Sequence, residues 1–144
     1  MIVHHTPSPA MREIFEAVVA GAECPEVEGV EVVRRAALEA SVSDVLGADG
    51  YLLGTPANIG YMSGALKHFF DTVYYPCLDS CAGRPFGFYV HGNSGVEGAV
   101  GSVLGIAKGM GWKPVAKPLE LIGAPDKADL EAAWELGATV AASC

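Results

Sequence analysis

Three short segments carry the residue types with which this chain of 144 residues can do chemistry. In His5-Thr6-Pro7-Ser8-Pro9-Ala10-Met11-Arg12, two hydroxyls and the NH groups of Ser8, Ala10 and Met11 stand just before a stretch of helical period. Hydroxyls and free NH groups at a helix N-terminus form a cradle for phosphate. A plainer role accounts for the same residues equally well, with Ser8 as N-cap and Pro9 as first helical residue. Arg12 is able to reach a phosphate, although solvent is the commoner place for a first-turn arginine. In Thr55-Pro56-Ala57-Asn58-Ile59-Gly60-Tyr61, proline and glycine mark a turn behind an apolar run. In His91-Gly92-Asn93-Ser94-Gly95, glycines admit a planar ligand close to the backbone, and Asn93 and Ser94 add short hydrogen-bonding groups.

Such loops act together only if the fold brings them to one end of a sheet. Short β-branched and aromatic runs alternate with longer segments of helical period, the order of a parallel sheet covered on both faces. Strands are expected over Met1 to His5, Val30 to Val33, Tyr51 to Leu53, Phe86 to Val90 and Val115 to Ile122, with Pro118 restricting the last to an edge. The run Tyr51-Leu52-Leu53 is apolar on both faces, as a central strand requires. Helices are expected over Pro9 to Ala20, near Val42 to Leu46, along Met62, Leu66, Phe69, Phe70 and Val73, from Val96 to Met110, and from about Asp126. The last buries Leu130, Ala133, Trp134 and Val140. Gly101, Gly105 and Gly109 fall on one helix side, which suggests close packing on the sheet, with a subunit interface of a homo-oligomer as the alternative. The prediction is one α/β domain over 1–144, a five-stranded parallel sheet in the order 2-1-3-4-5. In that arrangement ligands sit beyond the carboxyl ends of the strands, where the three loops lie.

Composition narrows the partners. A formal charge of −8 disfavours nucleic acid and anionic membrane surfaces, which need a basic footprint. No apolar run approaches the ~20 residues of a membrane span. The start Met1-Ile2-Val3-His4-His5 lacks the pattern of a secretory signal, so a cytoplasmic location is expected. Cys24, Cys77, Cys81 and Cys144 show no C-x-x-C spacing and read as reduced thiols, with no metal site expected.

The stretch from Thr55 to Asp71 resembles the flavodoxin-like NAD(P)H-dependent FMN and quinone reductases. Members of that family have a strand ending in a Thr-Pro-type turn, a short loop with an internal glycine, and a helix beginning with methionine. The resemblance implies a flavodoxin-like three-layer sandwich that binds FMN. It implies phosphate contacts from Thr6, Ser8, Ala10 and Met11, and a flavin ring lined by Pro56, Ala57, Asn58, Ile59 and Gly60. It also implies that His91, Gly92, Asn93 and Gly95 close the other side, with Tyr61 stacking near the ring. His91 would either steady reduced flavin or serve as a satisfied structural residue. Family phosphate loops usually carry glycine and a further hydroxyl where this chain has Pro9, Ala10 and Met11.

The flavin brings its own reactivity, so no catalytic residue is nominated. No G-x-G-x-x-G fingerprint follows the first strand, so NAD(P)H is expected to stack transiently on the flavin as electron donor. The leading expectation is an oxidoreductase that reduces quinones or similar small acceptors. A flavodoxin-type electron carrier that serves a redox partner protein is one alternative. A flavodoxin-fold module that has lost FMN, suggested by the proline in the phosphate loop, is another.

Overall fold

The computed structural model describes residues 1–144. The strands are β1 (Ile2–His4), β2 (Arg34–Ala36), β3 (Tyr51–Asn58), β4 (Tyr61–Met62), β5 (Pro85–Gly92), β6 (Lys113–Pro114) and β7 (Leu119–Ile122). The helices are α1 (Pro9–Ala22), α2 (Val42–Gly47), α3 (Gly64–Cys77), α4 (Val96–Gly109) and α5 (Lys127–Ala142).

The parallel sheet runs β2-β1-β3-β5, and both β6 and β7 pair with the outer side of β5. Those two segments share the fifth position: Pro85 and Phe86 face Lys113 and Pro114, and Tyr89 to Gly92 face Leu119 to Ile122. Val115 N still donates to Phe86 O at 3.0 Å, and Ala116 to Pro118 then bulge off the ladder, where Pro118 has no NH to give. Setting aside β4, which pairs antiparallel with β3, the order is the expected 2-1-3-4-5.

Period-two alternation divides the core. Val3, Tyr51, Leu53, Phe86, Phe88 and Val90 face α3 and α4 in one apolar cluster. Ile2, Leu52, Tyr89 and Leu121 face α1 and α5 in the other. Helices α1 and α5 approach until their backbones nearly touch: a β-carbon at Gly21 would overlap the Trp134 carbonyl, and one at Gly137 would overlap the Val18 carbonyl.

Several expectations need correction. The second strand is Arg34–Ala36 rather than Val30 to Val33. The ladder register places Ile2 opposite Arg34, so Val30 to Val33 reaches β1 only through the Val33 carbonyl, which accepts from Ile2 N at 2.7 Å. Trp134 is 39% exposed. Its carbonyl, not its indole, faces Gly21, and Leu136 takes the inward position. Gly101 and Gly105 do not pack on the sheet, since a β-carbon at either would meet open space. Gly109 does make a close approach, but to the Tyr74 hydroxyl of α3. Met62 lies in β4 and not at a helix start, and α3 is capped instead by Ser63, whose hydroxyl accepts from Leu66 N at 3.2 Å.

Candidate functional site

The carboxyl ends of β1, β3 and β5 lie side by side, and each opens into one of the three candidate loops. His5 N donates to Gly54 O at 2.9 Å, which ties the first loop to β3. Pro56 pairs with His91, which sets the second loop against the third.

The first loop turns directly into α1. Ser8 is the N-cap, and its Oγ accepts from Met11 N at 3.2 Å. The capping role is therefore real, and it leaves Ser8 committed to its own helix. Thr6 Oγ1 lies 2.7 Å from His4 Nδ1, and the His4 ring stacks on Phe15 with centroids 4.0 Å apart. Arg12 faces solvent and approaches Glu16 at 3.9 Å. Three buried side-chain polar atoms lack a partner, and two of them, His5 Nδ1 and the Tyr89 hydroxyl, belong to this end of the sheet. The third, Trp112 Nε1, sits in the opposite core.

Tyr89 is fully buried, and its ring passes over Gly54, where a β-carbon would overlap it. Its hydroxyl comes beside Thr6, near enough to be influenced by it, without completing a hydrogen bond of good geometry. Burial pushes the phenol well up from its ordinary value, outweighing the opposing effect of Thr6, so the hydroxyl stays a neutral donor. A buried donor without a partner costs about 1–3 kcal/mol. The first loop thus joins a helix N-terminus to the Thr6 hydroxyl, with an orphaned donor beside it, a set of groups that fits a phosphate.

The second loop is a tight hairpin. Strand β3 continues past Leu53 to Asn58, and β4 returns antiparallel, pairing Ala57 with Met62 and Asn58 with Tyr61. Ile59 and Gly60 form the two-residue turn with φ of 51° and 69°. Such hairpin turns favour positive φ at both positions and normally place Asn, Asp or Gly there. Ile59 is the one non-glycine residue with positive φ, and it is fully exposed. A β-branched side chain held there stores about 1–3 kcal/mol of strain.

Buried hydroxyls and α4 hold this hairpin. Thr55 Oγ1 donates to Pro56 O at 2.8 Å and accepts from Ser63 N at 2.9 Å, which joins the end of the strand to the start of α3. Met62 N donates to Ser102 Oγ at 3.2 Å. Gly98 lies under the turn so closely that a β-carbon would overlap Gly60 O.

In the third loop, Gly95 is the N-cap of α4 in a left-handed conformation with φ of 69°. Gly92 abuts Ala57 and Val96. His91 Nε2 meets Gly123 O at 2.7 Å, and Gly123 N donates to Gly92 O at 3.0 Å. A carbonyl only accepts, so His91 carries its proton on Nε2. The ring thereby ties the third loop to the loop after β7. Asn93 is exposed.

The structure therefore brings Thr6, Ser8, Ala10, Met11, Pro56 to Gly60 and His91 to Gly95 to one end of the sheet. The supports Tyr89, Ser63, Gly98 and Ser102 are not assigned from sequence, and Thr55 enters there only as part of the Thr-Pro turn. Among the four, Ser63 carries a local signal, as a serine opening an apolar helical run. A concavity of about 450 Å³ lies at the other end of the sheet, around Met1, Val33, Asp49 and Gly50. It contains none of the loop residues and lacks the glycine turns and the α1 N-terminus that distinguish the carboxyl end.

Comparison with known proteins agrees with this geometry. The sequence profile of the NADPH-dependent FMN reductase family matches residues 9–122. A flavodoxin from Aquifex aeolicus (strain VF5) is 37% identical over 73 residues, which is 51% of this chain and 38% of that protein. The match thus spans well under half the length of that relative. Among solved structures, a flavodoxin from the domain Archaea superposes with a TM-score of 0.81 at 20% identity, covering 97% of this chain and 94% of that one. The flavodoxin, WrbA-like protein from Agrobacterium tumefaciens gives 0.79 at 22% identity, covering 97% and 92%. The fold is the flavodoxin-like three-layer sandwich. No helix is long and apolar enough to cross a membrane.

Proposed function

The chain belongs to the NADPH-dependent FMN reductase family, and from that premise we propose that it is an FMN-binding oxidoreductase passing electrons from NAD(P)H to quinones or similar small acceptors. The observation that carries this reading is the convergence of three loops on adjacent parallel strands, with a strained hairpin at Ile59 held on α4. Strain of that kind persists where the surroundings over-determine it, and it clusters at ligand sites.

Bound FMN supplies the hydride and electron transfer, so the protein has to hold, orient and expose the ring. In this reading Thr6 and Ala10 offer a hydroxyl and an NH group to the phosphate, and the Met11 NH, which caps on Ser8 Oγ in the free protein, would turn to the phosphate as that cap opens. Backbone groups from Pro56 to Gly60 meet the polar edge of the ring. Gly92, Asn93 and Gly95 close the other side, and His91 acts on that loop through Gly123. Ile59 and Tyr61, both exposed, border the face open to NAD(P)H and to the acceptor. The opposing sign of the overall charge is offset locally by the α1 N-terminus.

A flavodoxin-type carrier is the second reading, favoured by the identity to a flavodoxin and by the net charge of −8. Anaerobic addition of NADPH or NADH to the FMN-loaded protein separates the two. Bleaching of the flavin absorbance followed by reoxidation with a quinone is expected. A flavin that stays oxidised with both nucleotides rejects the reductase reading in favour of the carrier.

A further inference from the structure

Thr6 is the hub of the polar groups in the first loop. Its Oγ1 lies 2.7 Å from His4 Nδ1, and the Tyr89 hydroxyl, buried and without a partner, stands beside it. A threonine hydroxyl has one proton to give and two lone pairs to offer. Against His4 it has two arrangements. If Nδ1 is bare, Thr6 donates to the ring and turns lone pairs toward the loop, where they repel an anion. If Nδ1 carries a proton, either in the imidazolium or in the Nδ1–H tautomer of the neutral ring, the ring donates and the Thr6 proton is free to enter the loop. The Tyr89 O–H then has a lone pair of Thr6 to fill, which leaves the Thr6 proton for an acceptor in the first loop.

We propose that His4 is a positioning residue for the phosphate of the flavin: a proton at Nδ1 makes the Thr6 hydroxyl a donor to the loop, and the charge of the bound phosphate draws the ring toward the imidazolium, so that phosphate binding and His4 protonation are coupled. The inference rests on the FMN reading and deepens it.

The surroundings of His4 set the direction of the coupling. Its ring stacks on Phe15, and Arg12, His5, Glu16 and Glu39 are the charged and titratable groups that act on it. Burial is the largest influence and pushes its pKa below the ordinary value, Arg12 and His5 add to this, and Glu16 and Glu39 oppose it. The free protein therefore favours a neutral His4. A phosphate at the loop supplies an acceptor for Thr6, which favours a proton at Nδ1, and negative charge, which favours the imidazolium over the neutral Nδ1–H tautomer. The only bond formed is N–H on the His4 ring: at pH values between the free and bound midpoints, a fraction of a proton is taken up from solvent as the phosphate ester binds.

The test is a residue-resolved NMR titration of the His4 imidazole between about pH 5 and 8, on the full chain, free and saturated with FMN or with riboflavin, which lacks the phosphate. FMN is expected to raise the His4 midpoint by about one pH unit, equivalent to a tenfold coupling. Riboflavin is expected to leave it in place. In Thr6→Val most of the FMN-induced shift should vanish. His4→Asn keeps an amide donor near Nδ1 but cannot titrate, so its FMN affinity, read by fluorescence quenching, should follow only the ionisation of the phosphate itself. An unmoved His4 midpoint with FMN bound overturns the inference, as does an equal shift with riboflavin or one that survives intact in Thr6→Val. FMN that fails to bind at every pH overturns the cofactor reading and this inference with it.

Discussion

Gly98 of α4 lies directly beneath the carbonyl of Gly60, with no room for a β-carbon between them. This contact, with the Met62 N to Ser102 Oγ hydrogen bond at 3.2 Å, fixes the hairpin at the tip of β3. Gly98→Ala should therefore lift the turn or strain α4, destabilising the protein by about 1–3 kcal/mol despite the better helix propensity of alanine. Chemical denaturation measures the loss, and FMN affinity should fall with it. Gly101→Ala and Gly105→Ala, where a β-carbon meets open space, should instead stabilise by about 0.5–1 kcal/mol each.

Ile59 adopts a left-handed conformation with its side chain in solvent. Asparagine tolerates that conformation and is favoured before glycine in such a turn. Ile59→Asn is expected to raise stability by roughly 1 kcal/mol, because strain is relieved and no burial is lost. If Ile59 borders the flavin as proposed, the same variant should weaken FMN binding. Paired denaturation and titration curves read both effects.

How much of this was legible in the sequence differs from element to element. Tyr51 to Leu53 announced itself as a central strand because it is apolar on both faces, but the strand runs on to Asn58. Pro56 and Asn58 carry turn chemistry, which hid a strand that outlasts the sheet and pairs with its own return. The helical period of α5 was plain, yet Trp134 was assigned inward, because the backbone approach of Gly21 to Trp134 is invisible in a single-helix pattern. The three loops could be placed by topology alone. Their supports could not, since Met62 meets Ser102 and Gly60 meets Gly98 across long stretches of chain.

Tyr89→Phe removes a buried hydroxyl that has no hydrogen-bond partner in the free protein. Loss of an unsatisfied polar atom should leave stability unchanged or raise it by about 1 kcal/mol. Phosphate-dependent affinity should move the other way, so that FMN binds more weakly and riboflavin as before. Thermal unfolding and fluorescence titration together give the two signs.

His4 also predicts a pH dependence of stability. Its pKa in the fold is lowered from the ordinary 6.5, chiefly by burial, so the unfolded chain binds more protons in the interval between the two values. Stability from this group is present above pH 6.5 and is lost as the pH falls below it toward the folded value. The acid arm of the ligand-free stability profile should be shallower in His4→Asn. Saturating FMN should also flatten it in the wild type, since phosphate favours the protonated ring.

The most direct test of the central claim is titration of FMN with the purified chain, following flavin fluorescence. One FMN per chain is the predicted endpoint, with saturable quenching and a loss of affinity in Gly98→Ala. Fluorescence that remains unchanged with the protein in excess would contradict the claim that these three loops form a flavin site.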